Sequence, residues 1–356
     1  MNRKRGLVLE VLSTSPELQE LLVEVDGEKQ RAYNYPLFAG PVEVGQEVLL
    51  NTTAVELGLG TGGRHFVLPT SPGGKLGAGH IMKLRYTPIQ FNALSVEEED
   101  SPYHSQLAAF ETLAGMPVVV ATLHSLLPTI TAALRFKPSG QRREILIAYL
   151  MIDGAALPLA LSRLVPQLKK TGLIDFTITC GQAFGGDYEA VNLYSGLAAA
   201  KVLGADVAVV AMGPGIVGTG TKWGTTAVQQ GEAVNTVSVL GGRAVAVPRL
   251  SFADPRPRHR GVSHHTLTAL GRVALAPAIV ALPQLSENQL SLVKRQLVQG
   301  KVAQRHLLEI ADASYVLPIL KDLGIPLSTM GRGAEEERAF FLAGAAGGAV
   351  ASSLLA

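Results

Sequence analysis

The sequence has little cysteine, few aromatic residues and almost no excess of charge of one sign. The single Cys180 excludes an intrachain disulfide and any zinc site built on Cys-x-x-Cys spacing. Aromatic residues make up 5% of the chain and charged residues 17%, with a formal net charge of +2. So small an excess creates no overall field that would attract nucleic acid or an anionic membrane. Any basic site must therefore be local, and the lack of disulfides indicates a cytoplasmic protein.

A membrane-spanning segment is also missing from the predicted pattern. Three apolar stretches approach the required length: Met116–Leu134, Ile145–Val165 and Ala339–Ala356. The first contains a histidine and two prolines, the second an aspartate and an arginine, and the third is mostly alanine and glycine. We therefore expect all three inside an α/β core. The small residues of the third would suit close packing, either within the fold or between copies of the chain in a homo-oligomer.

Length and a change of composition predict two domains. The chain of 356 residues exceeds one ordinary domain. Residues 1–94 contain short alternating runs bounded by Gly, Pro and Asp, which predict a small antiparallel β-barrel or sandwich with Gly58–Gly63 as a tight hairpin connection. The acidic residues 95–115 are predicted to form a solvated connector.

Residues 116–356 predict a doubly wound, mostly parallel α/β domain of the Rossmann-like type. Apolar strands alternate with helical stretches, which indicates a parallel sheet covered on both faces. The predicted strands are Val118–Leu123, Ile145–Met151, Ile174–Thr179, Val207–Met212, Val234–Leu240, Ala244–Val247, Ile279–Leu282 and Ile325–Ser328. The predicted helices are Ala156–Lys169, Tyr188–Leu203, His265–Ala274, Glu287–Gln299, Ser314–Leu323 and Glu335–Leu355.

A glycine-rich loop, Gly213–Gly224, follows the fourth predicted strand, at the sheet edge where such folds bind ligands. Its glycines match GxGxxG, but the helix required by the dinucleotide fingerprint does not follow, and the P-loop order of Lys before Ser or Thr is absent. Backbone amides, two threonine hydroxyls and a lysine would still suit an anion. The predicted ligand-binding residues are Gly213, Gly215, Gly218, Thr219, Thr221 and Lys222. The alternative is an ordinary surface turn.

The run Asp254–His265 gathers several arginines and three histidines around two prolines, which excludes a regular helix. Arginine forks suit phosphate or carboxylate, so Arg258 and Arg260 are predicted to bind the anion. His264 or His265 would move a proton, and Asp254 would orient a histidine or a metal. The alternative is a salt-bridged loop that ends in a helix cap.

Three further predictions concern the same edge of the sheet. Ser263 resembles a helix N-cap beside the anion, and Arg332 is predicted to reach the same edge from the last part of the chain. Asp153 and Asp187, placed at strand ends, are candidates for binding Mg²⁺ or for acting as a base, with helix capping as the alternative. Cys180 is expected to be buried, with His124 nearby as the residue that would favour a nucleophilic role.

Three segments carry a resemblance to a known family: Gly58–Gly63 with His65-Phe66, the core Gly218–Gly224, and the run from Ser251 to His265. The chain resembles an uncharacterised bacterial family, domain of unknown function 3866, over nearly its whole length. The resemblance implies a bacterial cytoplasmic protein. It implies no catalytic residue and no substrate.

The residues thus predict a protein that binds a phosphorylated or nucleotide-like small molecule at the carboxyl ends of the strands. If it is an enzyme, the expected reaction is hydrolysis or transfer at a phosphoryl or acyl centre. One alternative is a nucleic-acid-binding or regulatory protein that uses the N-terminal barrel. The residues that favour this barrel surface are Tyr33, Tyr35, Arg64, Lys83, Arg85 and Tyr86, and those that oppose it are Glu43, Glu47 and Glu56. A homo-oligomeric scaffold is the third hypothesis.

Overall fold

The computed structural model describes residues 1–59, 62–70 and 78–355. The chain divides into two compact units. The first comprises Met1–Ala78 and Leu84–Asn92, and the second comprises Gly79–Lys83 and Ala93–Ala356.

The first unit is a five-stranded, mainly antiparallel sheet. Its strands are β1 (Arg3–Thr14), β2 (Gln19–Val25), β3 (Glu28–Asn34), β4 (Glu47–Asn51) and β5 (Arg64–Val67), and its short helices are α1 (Pro36–Ala39) and α2 (Thr53–Glu56). The strands pair in the order β1-β2-β3-β5-β4, and β4 pairs with β1. Alternate residues of β2, Leu21, Val23 and Val25, point into a small apolar core. Gly60 and Thr61 of the predicted Gly58–Gly63 connection lie outside the described residues.

The second unit is built on an eight-stranded sheet in which every pairing is parallel. Its strands are β8 (Pro117–Val120), β9 (Ile147–Ile152), β10 (Phe176–Cys180), β11 (Tyr188–Ala190), β12 (Val207–Met212), β13 (Arg243–Ala246), β16 (Ile279–Pro283) and β17 (Leu307–Ala311). They pair in the order β11-β10-β9-β12-β8-β13-β16-β17. The predicted mixed α/β, Rossmann-like fold is confirmed. The parallel order explains the continuous apolar runs, because β9 and β12 are buried on both faces.

Helices cover this sheet. They are α3 (His104–Ala108), α4 (Leu127–Arg135), α5 (Leu164–Lys170), α6 (Leu193–Val202), α7 (Gln229–Val239), α8 (His264–Thr268), α9 (Glu287–Gln299), α10 (Val316–Asp322) and α11 (Arg338–Ser353). Single 3₁₀ turns lie at His124–Leu126, Leu159–Leu161, Thr226–Val228 and Pro257–His259, and α8 continues as a π-helical turn over Ala269–Val273. The remaining strands are short: β6 (Ile81–Lys83), β7 (Phe91–Ala93), β14 (Leu250–Ser251), β15 (Gly261–Val262), β18 (Ser328–Thr329) and β19 (Arg332–Gly333).

The prediction of a strand at Val234–Leu240 is wrong, because these residues belong to α7. The buried positions of this helix include Gln230, Ala233, Val234 and Val237, which recur at helical spacing, whereas Ser238 and Val239 are exposed. A short run rich in β-branched residues does not by itself distinguish a strand from one face of a helix.

Two other predicted elements differ at their start. The helix predicted from Tyr188 begins only at Leu193, because Tyr188–Ala190 pairs with β10 as an edge strand. Asn192 then starts the helix, since its side chain accepts the amide of Ser195 in a capping box. The predicted strand Ile325–Ser328 contributes only Ser328, because the proline at position 326 has no amide to donate to a ladder.

The acidic segment predicted as a connector is attached to the second unit. The amide of Val96 donates to the Glu189 carbonyl, and the Glu97 side chain accepts the amide of Val191. These bonds satisfy the outer edge of β11.

The small residues of α11 pack inside the second unit. A side chain at Gly344 would meet the Thr129 hydroxyl, and one at Gly348 would meet the Ile130 carbonyl, so both glycines permit close approach to α4. Of the two uses predicted for this stretch, packing within the fold is the one that these contacts serve. Within the described part of the chain, no helix combines the length and the apolar character needed to cross a membrane.

Candidate functional site

The glycine-rich loop after β12 forms a closed hairpin, here called the glycine hairpin, residues Gly218–Thr225. Gly218 and Thr225 form an antiparallel bridge, and the Thr219 amide donates to the Gly224 carbonyl at 2.8 Å. The Thr219 and Thr221 hydroxyls are 2.9 Å apart, and Thr221 also accepts the Gly224 amide. The two threonines predicted to contact a ligand therefore bind the hairpin itself and hold its shape.

The start of the loop is not arranged as a dinucleotide-binding turn. Gly213 is buried, and a side chain there would lie 2.5 Å from the Ala156 carbonyl oxygen. Gly215 has a φ of 89°, which favours glycine. The chain then enters the hairpin and a 3₁₀ turn before α7, so the helix that the fingerprint requires does not follow the glycines directly.

The histidines follow β13, at the same edge of the sheet, formed by the carboxyl ends of the strands and here called the crest. Strands β14 and β15 form a small antiparallel hairpin whose loop carries residues 252–260. The loop is anchored by Gln296 of α9, which donates to the Arg260 carbonyl and accepts the Val262 amide. As expected of an N-cap, Ser263 accepts the His265 amide at the start of α8.

Three imidazole rings pack together at this helix start. Ring centroids are 4.1 Å apart for His264 and His265, 5.1 Å for His259 and His264, and 5.2 Å for His259 and His265. His259 Nδ1 is bonded to the Ser263 hydroxyl at 2.8 Å. Adjacent helical residues point about 100° apart, yet the rings of His264 and His265 turn toward each other, with their centroids 4.1 Å apart.

The glycine hairpin meets the histidines at Gly218. A side chain on Gly218 would lie 3.0 Å from Cε1 and 3.2 Å from Nε2 of His265. The imidazole edge thus rests on the bare backbone of the hairpin, and any larger residue at Gly218 would require the ring to shift. The two residue groups predicted independently from the sequence are neighbours in the fold.

Several ring nitrogens at this contact have no hydrogen-bond partner among the residues that the structure describes. Nδ1 and Nε2 of His265 and Nε2 of His264 are shielded from solvent and make no hydrogen bond, although His265 is 6% exposed as a residue. Buried polar atoms are almost always bonded in folded proteins. These unused nitrogens are consistent with a ligand that supplies the missing bonds.

The surroundings keep the histidines neutral. Burial, with the positive charges of His264, Arg249 and Arg258 added, lowers the pKa of His265 to about 4. Burial and the nearby arginines likewise lower the pKa of His259 to about 3. A neutral imidazole can accept a proton or a hydrogen bond at physiological pH.

Asp254 lies at the centre of an arginine cluster. Its side chain is fully buried and accepts Arg256 Nη2 at 2.7 Å, Arg256 Nε at 2.9 Å and Arg249 Nη2 at 3.2 Å, with Arg332 Nη2 at 3.8 Å. The bonds from Arg256 hold the pKa of this carboxyl well below its usual range. Asp254 therefore orients arginines, and no hydrogen bond joins it to a histidine within the described residues.

A second buried carboxylate completes this cluster. Arg332 donates to Glu337 from Nε at 2.7 Å and from Nη2 at 2.6 Å, and Ser251 Oγ donates to the same Glu337 oxygen at 3.0 Å. Three arginines, Arg249, Arg256 and Arg332, therefore face two carboxylates, which leaves an excess of positive charge.

Other cations near the histidines have no carboxylate partner. A shallow pocket of about 240 Å³ is lined by Lys222, His264, Leu267, Thr268, Arg272 and Gly300. Lys222 comes from the glycine hairpin, and the other residues come from α8, the π-helical turn and the end of α9. Arg258 and Arg260 precede α8 in the chain, and both are exposed. Among residues whose positions are described, none of these four basic side chains has an ion-pair partner.

A larger groove of about 340 Å³ lies at the opposite, amino end of β13 and β16, and its lining includes Arg243, Ile279 and Leu307. It contains one cation and no histidine. The smaller pocket is the better candidate because the chemically useful groups converge there.

The two aspartates predicted as metal ligands are used separately. Asp153 accepts the Gln182 amide at 3.0 Å, whereas Asp187 binds Lys169 and the amide and hydroxyl of Thr177 at the start of β10. No group of three or more His, Cys, Asp or Glu side chains in the described ranges is arranged to hold a metal ion.

Cys180 and His124 are both buried at the crest. Burial raises the pKa of the Cys180 thiol to about 12, so the nucleophilic thiolate is not formed near neutral pH. His124 Nε2 is bonded to Ser162 Oγ at 2.6 Å, and burial lowers its pKa to about 4. The fold uses both residues in packing and internal hydrogen bonding.

Residues predicted for a nucleic-acid-binding surface are partly engaged elsewhere. Arg64 lies over the Tyr33 ring and is paired with Glu20 at 3.0 Å. The Lys83 side chain is fully buried in the second unit, where Nζ donates to Glu189 and to two carbonyls. These contacts leave little free positive charge among the predicted set.

Sequence reasoning missed Arg249, Glu337 and Arg272. Arg249 follows β13 and so lies at the carboxyl end of a strand, where a functional residue is expected. It was overlooked because its neighbours in the sequence are apolar. Glu337 belongs to an acidic run that predicts only a helix start. Arg272 lies in the π-helical turn, which has no recognised sequence signal.

Comparison with known proteins gives a family and no activity. The family model described as "Protein of unknown function (DUF3866)" matches residues 31–348. No curated protein matches the sequence. Because the match covers most of the chain, including both candidate residue groups, the protein belongs to this family of unknown function, DUF3866.

Proposed function

We propose that this protein binds a phosphorylated or nucleotide-like small molecule in the pocket between the glycine hairpin and α8. The observation that carries the proposal is the set of buried, unbonded nitrogens on His264 and His265 beside basic side chains that lack a carboxylate partner. An apolar ligand would leave those nitrogens without hydrogen bonds. An anion with hydroxyl or protonated oxygen groups would bond to them.

Charge supports the same ligand class. Lys222 and Arg272 line the pocket from opposite elements, and the nearby arginine cluster has an excess of positive charge. Lysine and arginine both bind phosphate, arginine through a planar fork and lysine as a point charge. Burial is the main reason that the pKa of His265 is lowered, and the positive neighbours add to the shift because they oppose protonation of the ring.

The proposal extends to a reaction class. An anion bound beside His264, which lines the pocket, would raise the pKa of that ring, which burial and the nearby arginines lower, because a negative charge favours the imidazolium. A histidine tuned in this way can accept a proton from water or a hydroxyl group. Hydrolysis or transfer at a phosphoryl or acyl centre is therefore the reaction to assay first.

Binding of inorganic pyrophosphate and of ATP, measured by isothermal titration calorimetry and thermal melting, tests the proposal. A ligand at a hundred times its dissociation constant should stabilise the wild type by about 2.7 kcal/mol. Lys222→Ala and Arg272→Ala should each weaken binding roughly tenfold or more while leaving the free protein about as stable.

Lys294→Ala is the matched control, because Lys294 is an exposed lysine of α9 outside the pocket. The proposal fails if neither compound stabilises the wild type, or if Lys222→Ala and Lys294→Ala bind equally well. Unfolding of Lys222→Ala would instead assign that lysine to a structural contact.

A further inference from the structure

Trp223, the only tryptophan of the chain, is held in the open at the tip of the glycine hairpin. Its side chain is 61% exposed, next to Lys222, which lines the pocket. Within the described ranges, the indole makes no stacking or cation–π contact. Tryptophan is a large apolar residue that folding normally buries, so an isolated exposed ring beside a polar pocket points to a binding role.

The backbone around Trp223 is firmly held. The Trp223 carbonyl accepts the Thr225 amide at 2.8 Å, and the Gly224 amide donates to the Thr221 hydroxyl at 3.0 Å. The bridge between Gly218 and Thr225 fixes the base of the hairpin on His265. The ring is therefore carried on a preformed turn, which lowers the entropy cost of stacking a ligand on it.

The spacing suits a ligand with a charged end and a planar end. Neighbouring Cα atoms are about 3.8 Å apart, so a phosphate at Lys222 leaves an attached ring within reach of the next side chain. Indole faces stack on nucleobases without strong preference among bases, because every base has a π-face.

We propose that Trp223 stacks on a planar aromatic ring of the ligand, so that the pocket takes a nucleotide rather than a simple phosphate. This inference rests on the proposed anion site, to which it adds the ligand class and one specificity-determining residue. Lys222, His264 and Arg272 hold the phosphate, and Trp223 recognises the base.

The test uses the full chain and compares ribose 5-phosphate with AMP, GMP, CMP and UMP. These probes share a phosphorylated ribose, and only the nucleotides carry a base. Because the chain has one tryptophan, quenching of its fluorescence reports contact with Trp223 directly. We expect at least one nucleotide to quench it and to bind roughly 5- to 150-fold more tightly than ribose 5-phosphate in calorimetry.

Trp223→Ala should remove this advantage, so that the nucleotide binds no better than ribose 5-phosphate, and Trp223→Phe should keep most of it. Val217→Ala is the control, because Val217 is an equally exposed apolar residue, at 59%, at the base of the hairpin and has no ring. It should leave the advantage unchanged.

Two results overturn the inference. If the wild type binds ribose 5-phosphate as tightly as every nucleotide, or if Trp223→Ala keeps the nucleotide advantage, Trp223 does not recognise a base and the phosphate site stands alone. If neither these probes nor pyrophosphate binds, both the stacking inference and the proposed function are wrong.

Discussion

Replacing Asp254 by Asn should destabilise the second unit strongly, although Asn has nearly the same shape. The side chain is fully buried and accepts bonds from Arg249 and Arg256, and the Arg249 side chain is itself only 6% exposed. Without the carboxylate, a buried guanidinium keeps its charge and loses its counter-ion. Removing one partner of a buried ion pair typically costs about 3–5 kcal/mol. We expect about 3 kcal/mol, because Arg256 is 36% exposed and water can compensate for part of its lost bond.

Urea denaturation of the two proteins at pH 7, followed by circular dichroism, measures this loss in the free energy of unfolding. Asp322→Asn is the matched control, because Asp322 is exposed on α10 of the same unit, and such surface changes are usually within about 0.5 kcal/mol. If Asp254→Asn changes the free energy of unfolding by no more than this control does, the carboxylate does not hold the arginines, and the description of the cluster is wrong.

The same pair of proteins gives a pH test. The pKa of Asp254 is depressed in the folded state, so its stabilising contribution is complete above the unfolded pKa of about 3.9 and is lost as the pH falls further. The difference in stability between wild type and Asp254→Asn should therefore be constant from pH 7 to pH 5 and shrink below about pH 4. A difference that already shrinks between pH 7 and pH 5 would contradict the depressed pKa.

Three further outcomes are expected. First, the pKa of His265 is about 4 in the folded state and about 6.5 in the unfolded state. As the pH falls, the unfolded state therefore takes up the proton first. The free energy of unfolding should decrease between about pH 6.5 and pH 4, by about 1.4 kcal/mol per unit of pKa shift. His265→Gln should reduce this acid-side loss in melts at stepped pH, and a slope equal to that of the wild type would refute the assignment. Second, Lys83→Met should lower the free energy of unfolding by about 3–5 kcal/mol in urea denaturation, because it leaves Glu189 without its ion-pair partner. Lys201→Met, at an exposed lysine, is the control. An equal loss in the two variants would show that the buried pair is dispensable. Third, Gly218→Ala should lower the free energy of unfolding by about 1–3 kcal/mol and weaken pyrophosphate binding, because the added methyl meets His265 at 3.0 Å. Unchanged binding and stability would mean that the hairpin does not rest on that ring.

Much of the architecture could be predicted because it depends on local patterns. The run Val207–Met212 was predicted as a strand with the same limits that the structure shows, since a continuous apolar run ending in glycine suits a strand buried on both faces. Helix α9 was predicted at Glu287–Gln299 for a similar reason, as its apolar residues recur at helical spacing on one face. Both signals lie within about a dozen neighbouring residues.

Where the local pattern was ambiguous, tertiary packing decided. The residues Val234–Leu240 are apolar enough for a strand, yet the position beside β8 is taken by β12 and β13, and this segment packs over the sheet as part of α7. Edge strands such as Leu307–Ala311 were missed because half-exposed residues lack the apolar signal of the central strands.

For the site, the sequence alone determined which residue types are present and that they follow strands whose carboxyl ends share one edge. Ser263 as a helix cap could be predicted in the same way, since capping is a contact between near neighbours. The partners of these side chains could not. Arg332 pairs with the nearby Glu337 and also reaches Asp254, 78 positions earlier, while Gly218 contacts His265 across three intervening strands and the helix α7. Only the tertiary structure decides such contacts, because they depend on strand order and on the free space between elements, which no local sequence pattern specifies.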